Sequence, residues 1–237
     1  MGVRYLGMKT RISCAILILL AGALLAQTDS RILQELQRRI GPVTGVTISV
    51  HDGTVTLTGT TSSLARKLNV INMARRTIGV TSVVDRMTVV PAVKQTDAQI
   101  ADGVRKAFAG NLSSQERNAI NVTVQNGVVT LTGTLPSSYS KQVAGMLAST
   151  VPGVVDVKNE IVVKPPQPRT DAQILADVTA RFAQNPIIPS KEIAVTVSNG
   201  VVTLSGTVST FVQAEQAEAS ARFVPGVIDV RNLLFVR

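Results

Sequence analysis

The chain of 237 residues contains very little of what most enzyme active sites are built from. It has one cysteine, Cys14, one histidine, His51, and no tryptophan. These counts exclude an internal disulfide and a cysteine–histidine metal site. A serine–histidine–aspartate triad would have to use His51, since the chain has no second histidine. His51 lies beside a predicted turn, where we expect an exposed structural histidine. The sequence therefore predicts a protein that is not an enzyme and that uses no metal or cofactor.

Long apolar runs are also lacking, and the one notable run is at the N-terminus. Three basic residues, Arg4, Lys9 and Arg11, precede fifteen residues without a charge, 12–26. This run is shorter than the ~18 residues expected of a membrane span. A basic start, a short apolar run and a small residue at its end are typical of a secretory signal peptide. We therefore predict that residues 1–26 are a signal peptide cleaved near Ala26, which makes the protein periplasmic. An uncleaved anchor in the inner membrane is the alternative.

Aromatic residues make up only 3% of the chain, so the cores must be built from Val, Ile, Leu and Ala. The sequence does contain one motif pattern that occurs three times. Gly53, Gly127 and Gly200 are separated by 74 and then 73 residues, and two other sets of glycines keep the same intervals. A repeat of this length is a small domain rather than a solenoid unit. The predicted domains are residues 28–90, 96–164 and 170–237, which we call repeats 1, 2 and 3.

Each repeat has the same predicted order of elements: helix, strand, strand, helix, strand. The dipeptides Asp52-Gly53, Asn126-Gly127 and Asn199-Gly200 favour two-residue hairpins, so these glycines are assigned a structural role. The second strand is expected to end at Gly59, Gly133 or Gly206, and the second helix to run to Gly79, Gly153 or Gly226. The predicted fold class is α+β: three tandem αββαβ domains, each a three-stranded mixed sheet with both helices on one face.

The loop after the first helix differs between the repeats. It is longer in repeats 2 and 3, with extra residues around 111–114 and 185–189.

Repeats 2 and 3 share three motifs: the Thr-Asp-x-x-Ile helix start, the Asn-Gly-Val-Val-Thr-Leu-x-Gly-Thr hairpin, and Pro-Gly-Val-x-x-Val-x-Asn before the last strand. These motifs resemble the BON domain (bacterial OsmY and nodulation). Repeats 2 and 3 fit closely. In repeat 1, Ile78 replaces the proline and Asp85 replaces the asparagine. The resemblance implies an exported or envelope-associated protein, linked to osmotic stress and to phospholipid surfaces, with no catalytic residues to assign.

The chain has a formal net charge of +9, and its distribution is uneven. Without residues 1–26 the charge is 21 − 15 = +6, and repeat 1 carries 8 − 4 = +4 of it. Nucleic acid would suit a basic protein, but export and the lack of aromatic residues among the basic ones argue against it. The charge of repeat 1 instead suggests an anionic surface as its partner.

The second helix of repeat 1 has an apolar stripe that its counterparts lack. The stripe, Leu64, Leu68, Ile71 and Ile78, corresponds to Ser138, Gln142, Gly145 and Pro152 in repeat 2. Lys67 and Arg75 flank it. An apolar stripe beside basic residues is typical of a helix that lies on anionic lipid. The alternative is that the stripe packs against repeat 2 across the short linker 91–95.

The sequence thus leads to two functional hypotheses. The main one is an exported, non-enzymatic envelope protein that associates with anionic phospholipid and acts in osmotic or envelope stress. The alternative is a soluble periplasmic stress protein or chaperone-like module that binds other proteins, with envelope proteins as its partners.

Overall fold

The computed structural model describes residues 28–40 and 45–237. The predicted signal peptide lies outside these residues.

Repeat 1 contains the five expected elements in the expected order. They are helix α1 (28–40), strands β1 (Val46–His51) and β2 (Thr54–Thr61), helix α2 (Leu64–Arg75) and strand β3 (Ser82–Val89). The hairpin strands pair antiparallel, and β3 then pairs parallel with β2. The central strand of the sheet is therefore β2, because it pairs with both β1 and β3. Helix α2 is the crossover that connects the two parallel strands.

Repeats 2 and 3 have the same architecture. Repeat 2 consists of α3 (Asp97–Ala109), α4 (Ser114–Asn118), β4 (Ile120–Gln125), β5 (Val128–Leu135), α5 (Ser138–Ser149), β6 (Asp156–Asn159) and β7 (Val162–Val163). Repeat 3 consists of α6 (Asp171–Gln184), β8 (Ile193–Ser198), β9 (Val201–Val208), α7 (Phe211–Arg222) and β10 (Asp229–Val236). The α+β prediction with three mixed sheets is confirmed.

Each core lies between its two helices and the inner face of its sheet. Three positions, one on each helix and one on the central strand, are 0% exposed in every repeat: Leu36, Val104 and Val178; Leu57, Leu131 and Leu204; Ala74, Ala148 and Ala221. A small residue on the second helix lets that helix approach the sheet closely. The cores are mainly aliphatic, as the scarcity of aromatic residues predicts, but those of repeats 2 and 3 each also contain one buried phenylalanine, Phe108 and Phe182.

An aspartate at the start of the first helix holds the hairpin turn of each repeat. Asp97 accepts hydrogen bonds from the backbone N–H groups of Asn126 and Gly127, both at 2.9 Å. Asp29 and Asp171 hold the other two turns in the same way. Asn126 and Gly127 have φ of 51° and 77°, in the left-handed region that Asn and Gly tolerate. The predicted hairpin turns are thus anchored to the first helix.

Two predicted element ends are wrong. The central strand does not end at Gly133 but runs to Leu135, because Thr134 and Leu135 still pair with β7. A Cβ on Gly133 would lie 2.0 Å from the carbonyl oxygen of Ala119, so this glycine marks a close approach of two strands. The second helix ends four residues before its glycine, at Arg75 in repeat 1, and Gly79 (φ 88°) forms the turn that follows.

The extra residues of repeat 2 form the short helix α4. Ser113 and Glu116 form a capping box at its start. Glu116 also accepts a hydrogen bond from the hydroxyl of Ser140 on α5, at 2.6 Å. The insertion therefore joins the first half of the domain to its second helix.

Candidate functional surface

The first residue of the predicted stripe lies inside a domain contact. Leu64 begins α2 of repeat 1, is only 7% exposed, and belongs to the core cluster of repeat 2. Val89 of repeat 1 packs against the same cluster. Leu68, one turn further along α2, is 39% exposed and lines a cleft of about 360 Å³ with Gln142 and Met146 of α5. The N-terminal half of the stripe therefore faces repeat 2.

Lys67 is engaged within its own repeat. Its ammonium group pairs with Asp85 at 2.9 Å and donates to the carbonyl oxygen of Met87 at 2.6 Å. In repeat 2 the equivalent contact is made by Asn159, whose amide donates to the carbonyl oxygen of Lys141 at 2.7 Å. An aspartate has no N–H to donate, so repeat 1 joins the same helix and strand with an ion pair instead. This explains the replacement of asparagine by Asp85.

The middle of the stripe contacts the core of repeat 1, and repeat 3 adjoins it. Ile71 is 9% exposed and belongs to the core of repeat 1, against which Phe211 of repeat 3 also packs. The guanidinium carbon of Arg75 lies 6.0 Å from the centre of the Phe211 ring, at the limit of a cation–π contact. Arg76 forms an ion pair with Glu215 of α7 at 3.3 Å. The C-terminal half of α2 therefore meets the start of α7.

A third contact between second helices, α5 and α7, joins repeats 2 and 3. The hydroxyl of Ser138, the first residue of α5, donates to the carbonyl oxygen of Arg222 at the end of α7, at 3.0 Å. The rings of Tyr139 and Phe223 lie beside this bond, with centroids 4.5 Å apart. The second helix of each repeat thus touches the next one, from α2 to α5, α5 to α7 and α7 to α2. The three helices form a closed ring.

One position of the repeat makes all three contacts. Leu64, Ser138 and Phe211 are the first residues of the three second helices, and each contacts a neighbouring repeat. The stripe identified Leu64, whereas sequence reasoning assigned no such role to Ser138 and Phe211. Ser138 and Phe211 could have been identified because they occupy the same position in their repeats as Leu64, although Ser138 is not hydrophobic.

The last residue of the stripe remains on the surface. Ile78 lies in the turn after α2 and is 88% exposed. The turn carries Arg75 and Arg76, and the side chain of Arg39 on α1 donates to the carbonyl oxygen of Arg76 at 3.3 Å. Glu35 lies on the same helix, and hydrogen bonds from Arg38 and Arg39 lower its pKa to about 2. The exposed isoleucine is therefore placed among arginines.

The His51 side chain lies near Asp29 and Asp52, with potential ligand atoms within 4.8 Å of one another. Both carboxylate oxygens of Asp29 already accept backbone N–H groups of the hairpin turn. Repeats 2 and 3 hold the same turn with Gln125 and Ser198 in place of the histidine. The cluster is explained by the turn it stabilises.

Within the described residues, no helix is both long and apolar enough to span a bilayer.

Comparison with known proteins finds relatives that match more than half of this chain. Osmotically-inducible protein Y of Escherichia coli is 32% identical over 144 residues, which cover 57% of this chain and 70% of that protein. The 21 kDa hemolysin of Actinobacillus pleuropneumoniae is 32% identical over 150 residues, covering 60% of this chain and 77% of that protein. Outer membrane lipoprotein DolP of Haemophilus influenzae is 28% identical over 137 residues, covering 56% of this chain and 69% of that protein.

The sequence model of one domain family matches almost everything that the structure describes. Its matches cover residues 25–91, 96–165 and 170–237, one for each sheet with its helices. The resemblance seen in the hairpin and helix-start motifs is therefore confirmed. The chain belongs to the BON domain family and carries three copies of that domain in tandem.

Proposed function

We propose that this protein is an exported, non-enzymatic envelope protein that associates with anionic phospholipid surfaces and acts in osmotic or envelope stress. The observation that carries the proposal is Ile78, an isoleucine 88% exposed among arginines on the most basic repeat. The names of two relatives, an osmotically inducible protein and an outer membrane lipoprotein, support the envelope setting.

The turn that carries Ile78 suits the boundary between headgroups and acyl chains. An apolar side chain gains free energy when it enters this boundary, and each nearby basic residue adds about 1 kcal/mol on an anionic surface. Arg75, the last residue of α2, has no ion pair among the described residues, whereas Arg76 pairs with Glu215 and Arg39 pairs with Glu35. Repeats 2 and 3 have Pro152 and Pro225 in place of Ile78, so the shared fold does not require an isoleucine there.

The proposal is narrower than the whole predicted stripe. Leu64 and Ile71 are buried, and Lys67 is paired with Asp85. Contact with lipid is therefore assigned to the end of α2 and the turn that follows it, with Arg75 and Ile78 as its residues. The rest of the stripe is assigned to contacts inside the protein.

Export is tested by the N-terminus of the protein isolated from the cell envelope. We expect a processed form that begins near Gln27, because the first helix of repeat 1 starts at residue 28. N-terminal sequencing and intact mass measure this directly. A full-length form held in the inner membrane would replace cleavage with an anchor.

Lipid association is tested by sedimenting the processed protein with vesicles. We expect binding to vesicles rich in phosphatidylglycerol, weaker binding at high salt, and little binding to phosphatidylcholine alone. Ile78→Ser and Arg75→Gln should each weaken binding several-fold. Met146→Ser is the matched control, since Met146 is 58% exposed on the equivalent helix of repeat 2. Equal sedimentation with both kinds of vesicle, or none with either, would contradict the proposal.

A further inference from the structure

The last strand of repeat 3 has an unusual row of exposed residues. Arg231, Leu233 and Phe235 are exposed and alternate with buried or half-buried residues along β10, and the exposed Arg237 directly follows the strand. Leu233 and Phe235 are each 66% exposed. Because side chains alternate across a strand, Arg231, Leu233 and Phe235 lie on one face of the sheet. Arg237 continues this alternation, since its backbone N–H still bonds to Val208 of β9. We call these four residues the β10 row. It spans about 20 Å at the rise of an extended strand.

The β10 row is open on the sheet face away from the helices. The strand lies at the edge of its sheet, in the order β10, β9, β8, and its inward residues, Val230 and Val236, are buried in the core. Across the ladder, Leu233 and Phe235 pair with Ser205 and Thr207. The neighbours of the two apolar side chains are thus small hydroxyl residues that leave them uncovered.

The charges around the row favour an anionic partner. Neither Arg231 nor Arg237 has an ion pair among the described residues. The nearest acidic residue on the strand, Asp229, is engaged by Arg222 at 3.3 Å. Arg222 also binds Glu218, and Glu215 is paired with Arg76 of repeat 1. Although repeat 3 carries a formal charge of 5 − 6 = −1, its row presents these two arginines beside Leu233 and Phe235.

The other repeats show that the fold does not need this row. Aligned on the glycine of the central strand, Leu233 corresponds to Arg86 and Glu160, and Phe235 to Thr88 and Val162. Only repeat 3 places an aromatic residue at this position. Two large apolar side chains in water beside two arginines are difficult to explain by stability alone.

The geometry points to the β10 row as a second membrane contact, in which Leu233 and Phe235 enter an anionic phospholipid surface and Arg231 and Arg237 bind lipid phosphates. This inference rests on the proposed function and adds a surface on a different repeat. Arginine is suited to the role because its planar guanidinium binds phosphate oxygens in pairs. The order basic, apolar, apolar, basic along one face places each arginine next to an inserted side chain.

The row is connected to the exposed turn of repeat 1. The backbone N–H of Arg237 donates to the carbonyl oxygen of Val208 at 3.1 Å. The next residue, Ser209, lines a cavity of about 230 Å³ together with Ile78 and Arg76. Through Val208 and Ser209, the end of the β10 row is therefore connected to the junction between repeats 1 and 3 at which Ile78 lies.

The test uses the processed protein, without a C-terminal tag, and vesicles of phosphatidylglycerol with phosphatidylcholine. The double variant Leu233→Ser, Phe235→Thr should weaken binding by about tenfold or more. Burial of each apolar side chain in the lipid is expected to raise the affinity several-fold. The fold should tolerate the change, because repeat 1 has Thr88 at the position of Phe235. Val162→Thr is the matched control, as Val162 is 61% exposed at the same position of repeat 2, and it should bind like the wild type.

A second measurement uses the absence of tryptophan from the chain. Phe235→Trp creates a single fluorescent reporter in the row, and Val162→Trp creates the matched reporter in repeat 2. On anionic vesicles the emission of the first should shift to the blue and be quenched by brominated acyl chains. The emission of the second should not change.

The outcomes separate the two proposals. If the wild type binds anionic vesicles and the Leu233, Phe235 double variant binds equally well, the row is not a membrane contact, and the proposed function stands without it. If the wild type binds no vesicles, both proposals are wrong. If the wild type forms dimers that the double variant does not form, and the Phe235→Trp reporter is buried without lipid, the row is a contact between copies and the membrane assignment is overturned.

Discussion

Arg76 of repeat 1 and Glu215 of repeat 3 form an ion pair at 3.3 Å, although 139 residues separate them in the chain. Arg76 is 62% exposed in its side chain, so the pair itself is worth at most about 1 kcal/mol. Its importance lies in its position. It closes the ring of second helices next to Phe211, which packs against the core of repeat 1.

We expect Phe211→Ser to loosen the contact between repeats 1 and 3. Serine occupies the same position in repeat 2, as Ser138, so repeat 3 should remain folded. The processed protein begins after Cys14, the one cysteine of the chain. Spin labels on cysteines introduced at Ser49 and Thr196, both on the hairpins of their repeats, report the distance by pulsed EPR. The variant should broaden a narrow distance distribution.

Glu215→Gln is the control for this experiment, because it removes the exposed charge pair and keeps the aromatic contact. It should leave the distribution nearly unchanged. A Phe211→Ser protein with the narrow wild-type distribution would mean that the ring does not depend on this side chain.

Leu64 should matter for stability far more than Leu68, although both belong to the same stripe. Leu64→Ser should lower the free energy of unfolding by about 2–3 kcal/mol, because it removes a buried side chain from the core of repeat 2. Leu68→Ser, at a position 39% exposed, should cost less than about 1 kcal/mol. Urea denaturation measures both. Hydrogen exchange should show the loss of protection in α5 as well as in α2.

Similar effects of the two serine variants would argue against the contact with repeat 2.

The contact with repeat 1 should also affect the stability of repeat 2 as an isolated domain. Residues 96–164 contain every element of the fold and should fold alone, but with less stability than in the whole chain, because Leu64 and Val89 are then missing from one side of their core.

The hairpin turn of repeat 2 should not tolerate a side chain. Gly127→Val should cost more than about 1 kcal/mol, because Gly127 has φ of 77° and a Cβ there would lie 2.9 Å from the carbonyl oxygen of Gly153. The control is Gly110→Ala. Gly110 has φ of −92°, and a Cβ there would have no neighbouring atom within 4 Å, so alanine should be neutral or slightly stabilising. Thermal denaturation of both variants tests the difference, and an unaffected Gly127→Val protein would rule out the assigned turn.

Glu116 should make the stability of repeat 2 depend on acid pH. Hydrogen bonds from the hydroxyls of Ser140 and Ser113 lower its pKa below the ordinary value of 4.5. A carboxylate with a lowered pKa in the folded state contributes stability that is present above the unfolded value and is lost as the pH falls through the folded value. Glu116→Gln should therefore lower stability at neutral pH and flatten its decrease in acid.

Urea midpoints from about pH 7 to about pH 3 measure this dependence. Glu192→Gln, an exposed carboxylate in repeat 3, is the control and should keep the wild-type profile. A Glu116→Gln profile parallel to that of the wild type would show that the hydroxyl contacts are not maintained in solution.

The sequence by itself determined the repeat, the order of the elements and the hairpins. These depend on local rules: Asn126-Gly127 tolerates positive φ wherever it occurs, and Thr96 with Gln99 caps a helix through its own backbone. The element ends were harder to predict. Gly133 is required by an approaching strand, and a glycine that ends a strand looks the same in sequence as one that lets another strand approach.

Only the tertiary structure decided what covers the second helices. A helical stripe such as Leu64, Leu68 and Ile71 predicts a buried face, but the hydrophobic effect has no direction and does not indicate whether lipid, repeat 1 or repeat 2 buries it. The answer differs along α2 and the turn after it: repeat 2 covers Leu64, the core of repeat 1 takes in Ile71, and nothing in the described chain covers Ile78. Such contacts join residues far apart in sequence, and no local pattern encodes them.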